Sequence, residues 1–341
     1  MAESMNIQVI YTGGTIGMKH TAEGLVPDSH VSMWLDQQLA GTKFEGHVRM
    51  HRLDPLIDSS NATPFTWQRI IDAIRDCAQE ATACVVLHGT DTLVYTASAL
   101  SFALHDLPIP IIMTGSQLPL VEFGSDALCN VMGALQAAAH PHLRGVFIFF
   151  GHHLYQGNRA TKVSSWSFDA FDSPAVAPVA HMAAPWNWTP HYRVSSESNS
   201  YTTSPEPLPY MNHDVIVVHV TPGLTAQRLR ALLTPLPQGL ILRGYGTGNI
   251  PADEPGFVDV LADAADQGCV IIGSTQPYQA QVDLGAYATG SVLKRAHVVS
   301  GADATIEALY TKLLFLLSQN HTVEEIRKLM SIPLADELTV F

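Results

Sequence analysis

Threonines, an aspartate and a lysine are the side chains whose types and spacing point to chemistry in this chain. Tyr11-Thr12-Gly13-Gly14-Thr15-Ile16-Gly17 follows a strand-like run in which Ile7, Val9 and Tyr11 alternate with their neighbours. Two adjacent glycines let the backbone turn sharply and leave room for a small ligand against the main chain. The turn carries threonines and no lysine, so it is neither a phosphate-cradling Gly-Lys-Ser/Thr loop nor a Gly-x-Gly-x-x-Gly dinucleotide turn. A second polar cluster, His88-Gly89-Thr90-Asp91-Thr92, follows the apolar run 83–87. Both clusters fall at the C-terminal ends of strands, where open α/β sheets collect ligands. Together they suggest one site made of hydroxyls, a carboxylate and backbone N–H groups.

A threonine hydroxyl is a poor nucleophile until a neighbour takes its proton. Its β-branched side chain is stiff at χ1, so the oxygen is already aimed. The threonines of the glycine turn, Thr12 and Thr15, are candidates for such a nucleophile. Thr90 and Asp91 with a lysine would form a second relay, because a carboxylate beside a cation stays ionised and can polarise a hydroxyl or a water. Lys162, in Gly157-Asn158-Arg159-Ala160-Thr161-Lys162 just after the strand-like run 145–150, is the candidate cation in a chain with only 18 Lys and Arg residues.

The elements that must position these groups alternate along the chain. Thr63 is placed to cap a helix opening at Pro64, with Trp67, Ile70, Ile71, Ile74 and Cys77 at helical spacing. Strands are predicted at 83–87, 109–113 and 145–150, with a helix from Ser125 or Asp126 through Ala139 between the last two. Continuous apolar strands separated by helices are what a parallel sheet covered on both faces requires. The Pro- and Ser/Thr-rich stretch 184–212 breaks the rhythm and reads as a connection, with Trp186 and Trp188 packed. Alternation then resumes: strands at 215–220, 239–242 and 269–272, helices at 225–233, 253–266 and 303–319, and a Thr322/Glu325 capping box opening the last helix. The expected fold is two α/β domains: a larger N-terminal parallel-sheet domain at 1–190, a linker at 191–212 and a smaller C-terminal domain at 213–341.

Composition narrows the function. The chain has 341 residues, of which 47% are hydrophobic and 14% charged, with a net charge of −13, so it is expected to be well buried and to repel phosphate backbones. Nucleic acid is excluded as a partner. The apolar runs are too short to span a bilayer, and residues 1–6 lack the features of a leader, so no membrane association and a cytoplasmic location are expected. The four cysteines are expected to be buried free thiols, and no CxxC occurs. His152-His153 and His140-x-His142 lack neighbours at ligand spacing, so neither a metal nor any other cofactor is expected.

With these residues in view, the chain resembles the bacterial-type L-asparaginases. The two threonine motifs carry the resemblance, and it continues through Asp58-Ser59-Ser60, Thr114-Gly115-Ser116-Gln117, Gly157 to Lys162, Tyr245-Gly246-Thr247-Gly248-Asn249 and Tyr287-Ala288-Thr289-Gly290, covering essentially the whole chain in order. It is most similar to the cytoplasmic, type I members. The resemblance implies hydrolysis of L-asparagine to L-aspartate and ammonia through an acyl-enzyme. Thr15 would match the nucleophile, and Thr90, Asp91 and Lys162 the second triad. Ser59 or Ser60 would hold the substrate's α-carboxylate, with Asp91 near its α-ammonium, N–H groups around Gly89 and Thr90 at the oxyanion, and Ser116 in the binding set. Family members are dimers of intimate dimers, so a homodimer or homotetramer is implied, with Asn249 and Gln281 as groups that complete a neighbouring subunit's site.

Two departures qualify what the resemblance implies. The loop 23–27 carries Leu25 where many members have a proton-relaying tyrosine, so Tyr287 is held as the alternative relay. Pro277 stands where cooperative type I enzymes have an effector-pocket cysteine, so activation by asparagine is not implied. A glutaminase-asparaginase and a non-catalytic asparagine or aspartate sensor remain as alternatives, the second resting on Leu25.

Overall fold

The computed structural model describes residues 5–21, 24–27, 30–190, 206–284, 293 and 296–340. It divides the chain into two units, Met1–Glu206 and Pro207–Phe341.

The first unit opens with β1 (Ile7–Tyr11), followed by an antiparallel hairpin of β2 (Met18–Thr21) and β3 (Gly24–Pro27). Helix α1 (Val31–Leu39) and strand β4 (Val48–Arg52) come next, then α2 (Pro64–Ala78), β5 (Ala83–Leu87) and α3 (Leu93–Ala103). Strand β6 (Pro110–Thr114), helix α4 (Ala127–Ala138) and strand β7 (Gly145–Phe150) complete the alternation. Five short strands end the unit: β8 (His153–Gln156), β9 (Thr161–Lys162), β10 (Phe171–Asp172), β11 (Ala180–His181) and β12 (Asn187–Trp188).

The large sheet has the order β12-β11-β8-β7-β6-β5-β1-β4. Its β4-β1-β5-β6-β7 part is parallel. Strands β1, β5 and β6 are buried along their whole length, as strands covered on both faces must be. The expected parallel sheet is extended at its other end by β8, β11 and β12, which run antiparallel. These strands are too short to show an alternating pattern. Trp186 and Trp188 stack on each other and close over this end, Trp186 against Phe149 and Trp188 against His140. Residues 184–190 therefore belong to the large sheet's unit; 191–205 lie outside the described residues.

Local rules account for most element starts. Thr63 and Thr66 make reciprocal bonds at the start of α2, with Pro64 in the first turn, so two of the orphan N–H groups are answered. Helix α3 has no counterpart in the sequence expectation. Almost every residue from Leu93 to Ala103 is buried, so the helix is apolar all round and shows no amphipathic stripe.

The second unit is a parallel sheet of β13 (Val215–His219), β14 (Gly239–Gly244), β15 (Val270–Thr275) and β16 (Val299–Ser300), in that order. Its helices are α5 (Ala226–Leu232), α6 (Phe257–Asp266), α7 (Ile306–Ser318) and α8 (Val323–Met330). Helix α6 begins at 257 rather than at the expected 253, because Gly256 takes a left-handed φ of 77° that ends the preceding turn. The Thr322/Glu325 capping box opens α8 as expected. Each unit has its own core: β1, β5 and β7 with α1 and α4 in the first, β14 and β15 with α6 in the second.

Candidate active site

The turn after β1 is tied to the turn after β5. The Thr12 N–H donates to Leu87 O at 3.0 Å and its hydroxyl donates to the same carbonyl at 2.9 Å, so Thr12 is a clamp between strand ends. Gly14 has a φ of 90°, and a Cβ there would lie 2.5 Å from both Gly89 Cα and Gly89 N. Only glycine lets the two backbones meet so closely. Thr15 follows at once, half-buried, at the first position of a single 3-10 turn that ends at Gly17. The residue just before the nucleophile candidate is thus pressed against Gly89, in the turn that carries Thr90 and Asp91.

Lys162 closes the second cluster. Its Nζ donates to Asp91 Oδ1 at 2.8 Å and to Thr90 Oγ1 at 3.0 Å. The lysine side chain is 19% exposed while that of Asp91 is 64% exposed, so the cation is sheltered and the carboxylate faces outward. Lys162 lies on β9, whose pairing with β10 sets it opposite Phe171. The hydroxyl of Thr90 donates in turn to Gln117 Oε1 at 3.3 Å, and Gln117 Nε2 donates to Ser167 O at 3.1 Å. Lysine, threonine and glutamine form one directional chain: Lys162 supplies protons to Thr90, which must then point its own at Gln117.

The serines take different positions. Ser59 is buried against Gly89, where a Cβ on that glycine would strike its Oγ. Ser60 is exposed, and its hydroxyl donates to Asp58 Oδ2 at 2.8 Å. Of the pair left open by the sequence, Ser59 is the one beside the Thr90 turn. Ser116 is buried and its hydroxyl donates to Leu118 O at 2.5 Å, which holds the turn after β6 rather than reaching outward.

Under the site lies a group that sequence reasoning passed over. His88 is fully buried, its Nδ1 2.7 Å from Gly89 O and its Nε2 3.1 Å from Thr96 Oγ1. The carbonyl can only accept, so Nδ1 carries the proton and Nε2 accepts from Thr96. Burial pushes the imidazole down to about 4, against a smaller opposing effect of the Gly89 bond, so His88 is neutral and fixed as one tautomer. Asp126 was expected only as a helix cap. It stands at the α4 N-cap, but its carboxylate accepts from the N–H groups of Gln117 and Leu118 and from Asn130 Nδ2. Asn130 also donates to Gly115 O and accepts from Gly151 N–H, which joins the ends of β6 and β7. Their sequence signal was weak: a buried polar pair four residues apart at the start of a helix of apolar composition.

In the second unit, Asn249 closes a tight turn with Tyr245, each backbone N–H donating to the other's carbonyl. Gln281 is exposed and lines, with Gly246, Thr247, Pro277, Gln279, Ala280 and Asp283, a hollow of about 520 Å³. Leu25 lies in β3, opposite His20. Tyr287 lies outside the described residues. Two of the four free cysteines, Cys77 and Cys129, are half-buried rather than buried as expected. Among the described residues no group of His, Cys, Asp or Glu is placed to hold a metal ion, and no helix is long and apolar enough to cross a membrane.

Comparison with known proteins places this arrangement in context. A family model described as asparaginase, N-terminal, matches residues 6–192, and one described as glutaminase/asparaginase C-terminal domain matches 214–330. The chain is similar to L-asparaginase 1 of Escherichia coli K12, 41% identical over 346 residues that cover 99% of each chain. The crystal structure of L-asparaginase I from Vibrio cholerae superposes with a TM-score of 0.90 at 35% identity, covering 98% of this chain and 99% of that one. The thermostable L-asparaginase of Thermococcus kodakarensis gives 0.85 at 32% identity, covering 99% and 100%.

Proposed function

The chain belongs to the asparaginase family of amidohydrolases, and from that premise we propose that it hydrolyses L-asparagine to L-aspartate and ammonia through an ester at Thr15. The observation that carries the proposal is the contact of Lys162 Nζ with both Thr90 and Asp91, on a turn pressed against Gly14.

The Thr15 hydroxyl attacks the side-chain amide carbon of asparagine, and the carbonyl electron pair moves onto oxygen. The N–H groups of Gly89 and Thr90 meet that charge. Collapse breaks the carbon–nitrogen bond, the amine takes the proton given up by the Thr15 hydroxyl and leaves as ammonia, and an aspartyl ester remains. Water, oriented by the Thr90 hydroxyl that Lys162 holds, then attacks the ester, and its proton passes to the Thr15 oxygen as the bond to Thr15 breaks. Ser59 holds the α-carboxylate and Asp91 the α-ammonium. Ser116 keeps the turn after β6 in place, and Gln117 aims the Thr90 hydroxyl. Asn249 and Gln281 reach the site of a second subunit in a homodimer or homotetramer, and Tyr287 stands in for the tyrosine that Leu25 replaces. The enzyme works in the cytoplasm and needs no cofactor.

Ammonia release separates an enzyme from a sensor, and comparing L-asparagine with L-glutamine separates the proposed activity from a glutaminase-asparaginase. Thr15→Ala should lower kcat on the order of 10³-fold or more with aspartate binding retained, as loss of a nucleophile does. Near-normal turnover by folded Thr15→Ala protein would remove Thr15 from the mechanism.

A further inference from the structure

Two thiols that the proposed chemistry does not use face each other at the end of β5 remote from the site. Cys77 lies half-buried in the last turn of α2, and Cys84 is fully buried as the second residue of β5. Their sulfurs are 3.8 Å apart, and Cys77 also donates to Ile74 O at 3.3 Å. The other two cysteines have different surroundings: Cys129 Sγ lies 3.3 Å from His152 Nε2, and Cys269 is buried in the second unit.

We propose that Cys77 and Cys84 are a site of reversible oxidation, at which a hydroperoxide converts the pair to a 77–84 disulfide. The Cys77 sulfur attacks the outer peroxide oxygen, the O–O bond breaks, and the hydroperoxide leaves as an alcohol or water with the thiol's proton. The sulfenic acid formed on Cys77 is then attacked by Cys84. A sulfur–sulfur bond forms, the S–O bond breaks, and the hydroxyl leaves as water with the second thiol's proton. Two thiols are oxidised by two electrons and one peroxide is reduced.

Three features support this order. Cys77 is the half-exposed partner, so it meets the oxidant first, and Cys84 behind it can only resolve. The hydrogen bond from Cys84 holds the Cys77 pKa below that of an ordinary thiol, while the same bond, and then burial, push Cys84 up. A disulfide needs the sulfurs about 1.8 Å closer than they are. The connecting residues 78–82 wall a hollow of about 840 Å³ together with the segments 108–110 and 138–141, which leaves that turn room to move.

The test is to treat the folded protein with hydrogen peroxide, denature it, count thiols and map linked peptides. Titratable thiols should fall from four to two, with a 77–84 linked peptide 2 Da lighter than the sum of its thiols (about two hydrogens lost per bond) and recovery by dithiothreitol. Cys77→Ser should abolish both the link and the loss at Cys84. Cys84→Ser should leave a Cys77 sulfenic acid that dimedone labels. A Cys77 that over-oxidises in the wild type while Cys84 stays a thiol overturns the proposal. So does a link that forms only after unfolding, or oxidation confined to Cys129 and Cys269.

Discussion

Each unit contains a lysine bonded to a carboxylate, and the two pairs are built to opposite ends. In the second unit Lys312 Nζ lies 2.5 Å from Glu337 Oε1, and both side chains are 0% exposed. All three ammonium donors are answered, by Glu337, by Met330 O and by Ile332 O, while Glu337 also accepts from the N–H groups of Leu334 and Ala335. Burial pushes the lysine pKa down and the carboxylate pushes it back. Nothing is left over for a ligand. In the first unit, Lys162 spends its contacts on a carboxylate that faces outward and on a hydroxyl that sits beside Gly89. The same two side-chain types are therefore structural where every donor ends on a buried acceptor, and available for chemistry where the carboxylate faces outward and the lysine's other contact is a hydroxyl at a strand-exit turn.

The largest expected effect tests the open pair. Lys162→Met should lower kcat on the order of 10³-fold, the range of positioned acid–base groups, with the melting temperature little changed. If Lys162 and Thr90 act as a unit, Lys162→Met combined with Thr90→Val should cost little more than the worse single change. Additive losses in that double-mutant cycle would separate their roles.

The closed pair should respond in stability instead. Lys312→Met leaves a buried carboxylate without its cation and should cost about 3–5 kcal/mol by denaturant unfolding. Adding Glu337→Gln removes the stranded charge while keeping an acceptor for Leu334 and Ala335, so the double variant should regain more than about 1 kcal/mol. Unchanged kcat in whichever variant stays folded is expected. A double variant no more stable than the single would show that the pair's worth is not electrostatic.

His88 lies between the two extremes, buried like Lys312 but beneath the site like Lys162. Its folded-state pKa of about 4 is below the 6.5 of an unperturbed imidazole. As pH falls from about 6.5 towards 4 the unfolded chain binds a proton that the folded protein refuses. Stability is therefore complete above that window and is lost through it, by about 3 kcal/mol from this group. Unfolding curves across pH 4–7 should show the slope, and His88→Asn, which keeps a donor for Gly89 O, should remove it. An unchanged slope in that variant would assign the acid sensitivity elsewhere.

How far the sequence could anticipate this contrast depends on where the information is local. Thr63 and Pro64 announce α2, and Thr322 with Glu325 announces α8, because capping is read within four residues. The burial of β5 follows from an unbroken apolar run, whereas β1 reads as alternating and is buried along its whole length, Gln8 included. Helix α3 escaped because uniform burial erases its period, and β8, β11 and β12 because two to four residues carry no pattern. At the site, Thr15, Thr90 and Asp91 stood out by their glycine turns, and Lys162 by its rarity and the family resemblance. That Lys162 reaches Thr90 across 72 positions, and that Asp126 accepts from the Gln117 N–H rather than from the first N–H groups of its own helix, depends on tertiary register. The Lys312–Glu337 pair left no signal at all, since a lysine is ordinarily solvated and its helix is buried nearly all round, so no polar face marks where Lys312 points.

The smallest expected effect is the sharpest check on the comparison. Asp91 is 64% exposed, so water and salt already screen its charge, and the lysine loses little if the carboxylate goes. Asp91→Asn should change unfolding free energy by no more than about 1 kcal/mol, and raising salt from 0.1 M to 1 M (ionic strengths at which screening lengths are about 10 and 3 Å) should shrink even that. Turnover should still collapse if Asp91 has its proposed role, because an amide neither carries the charge that role gives it towards the substrate's ammonium nor holds Lys162 against Thr90 as a carboxylate does. A stability loss as large as that of Lys312→Met would mean that the open pair is as structural as the closed one. The division between them would then have to rest on the position of Thr90 alone.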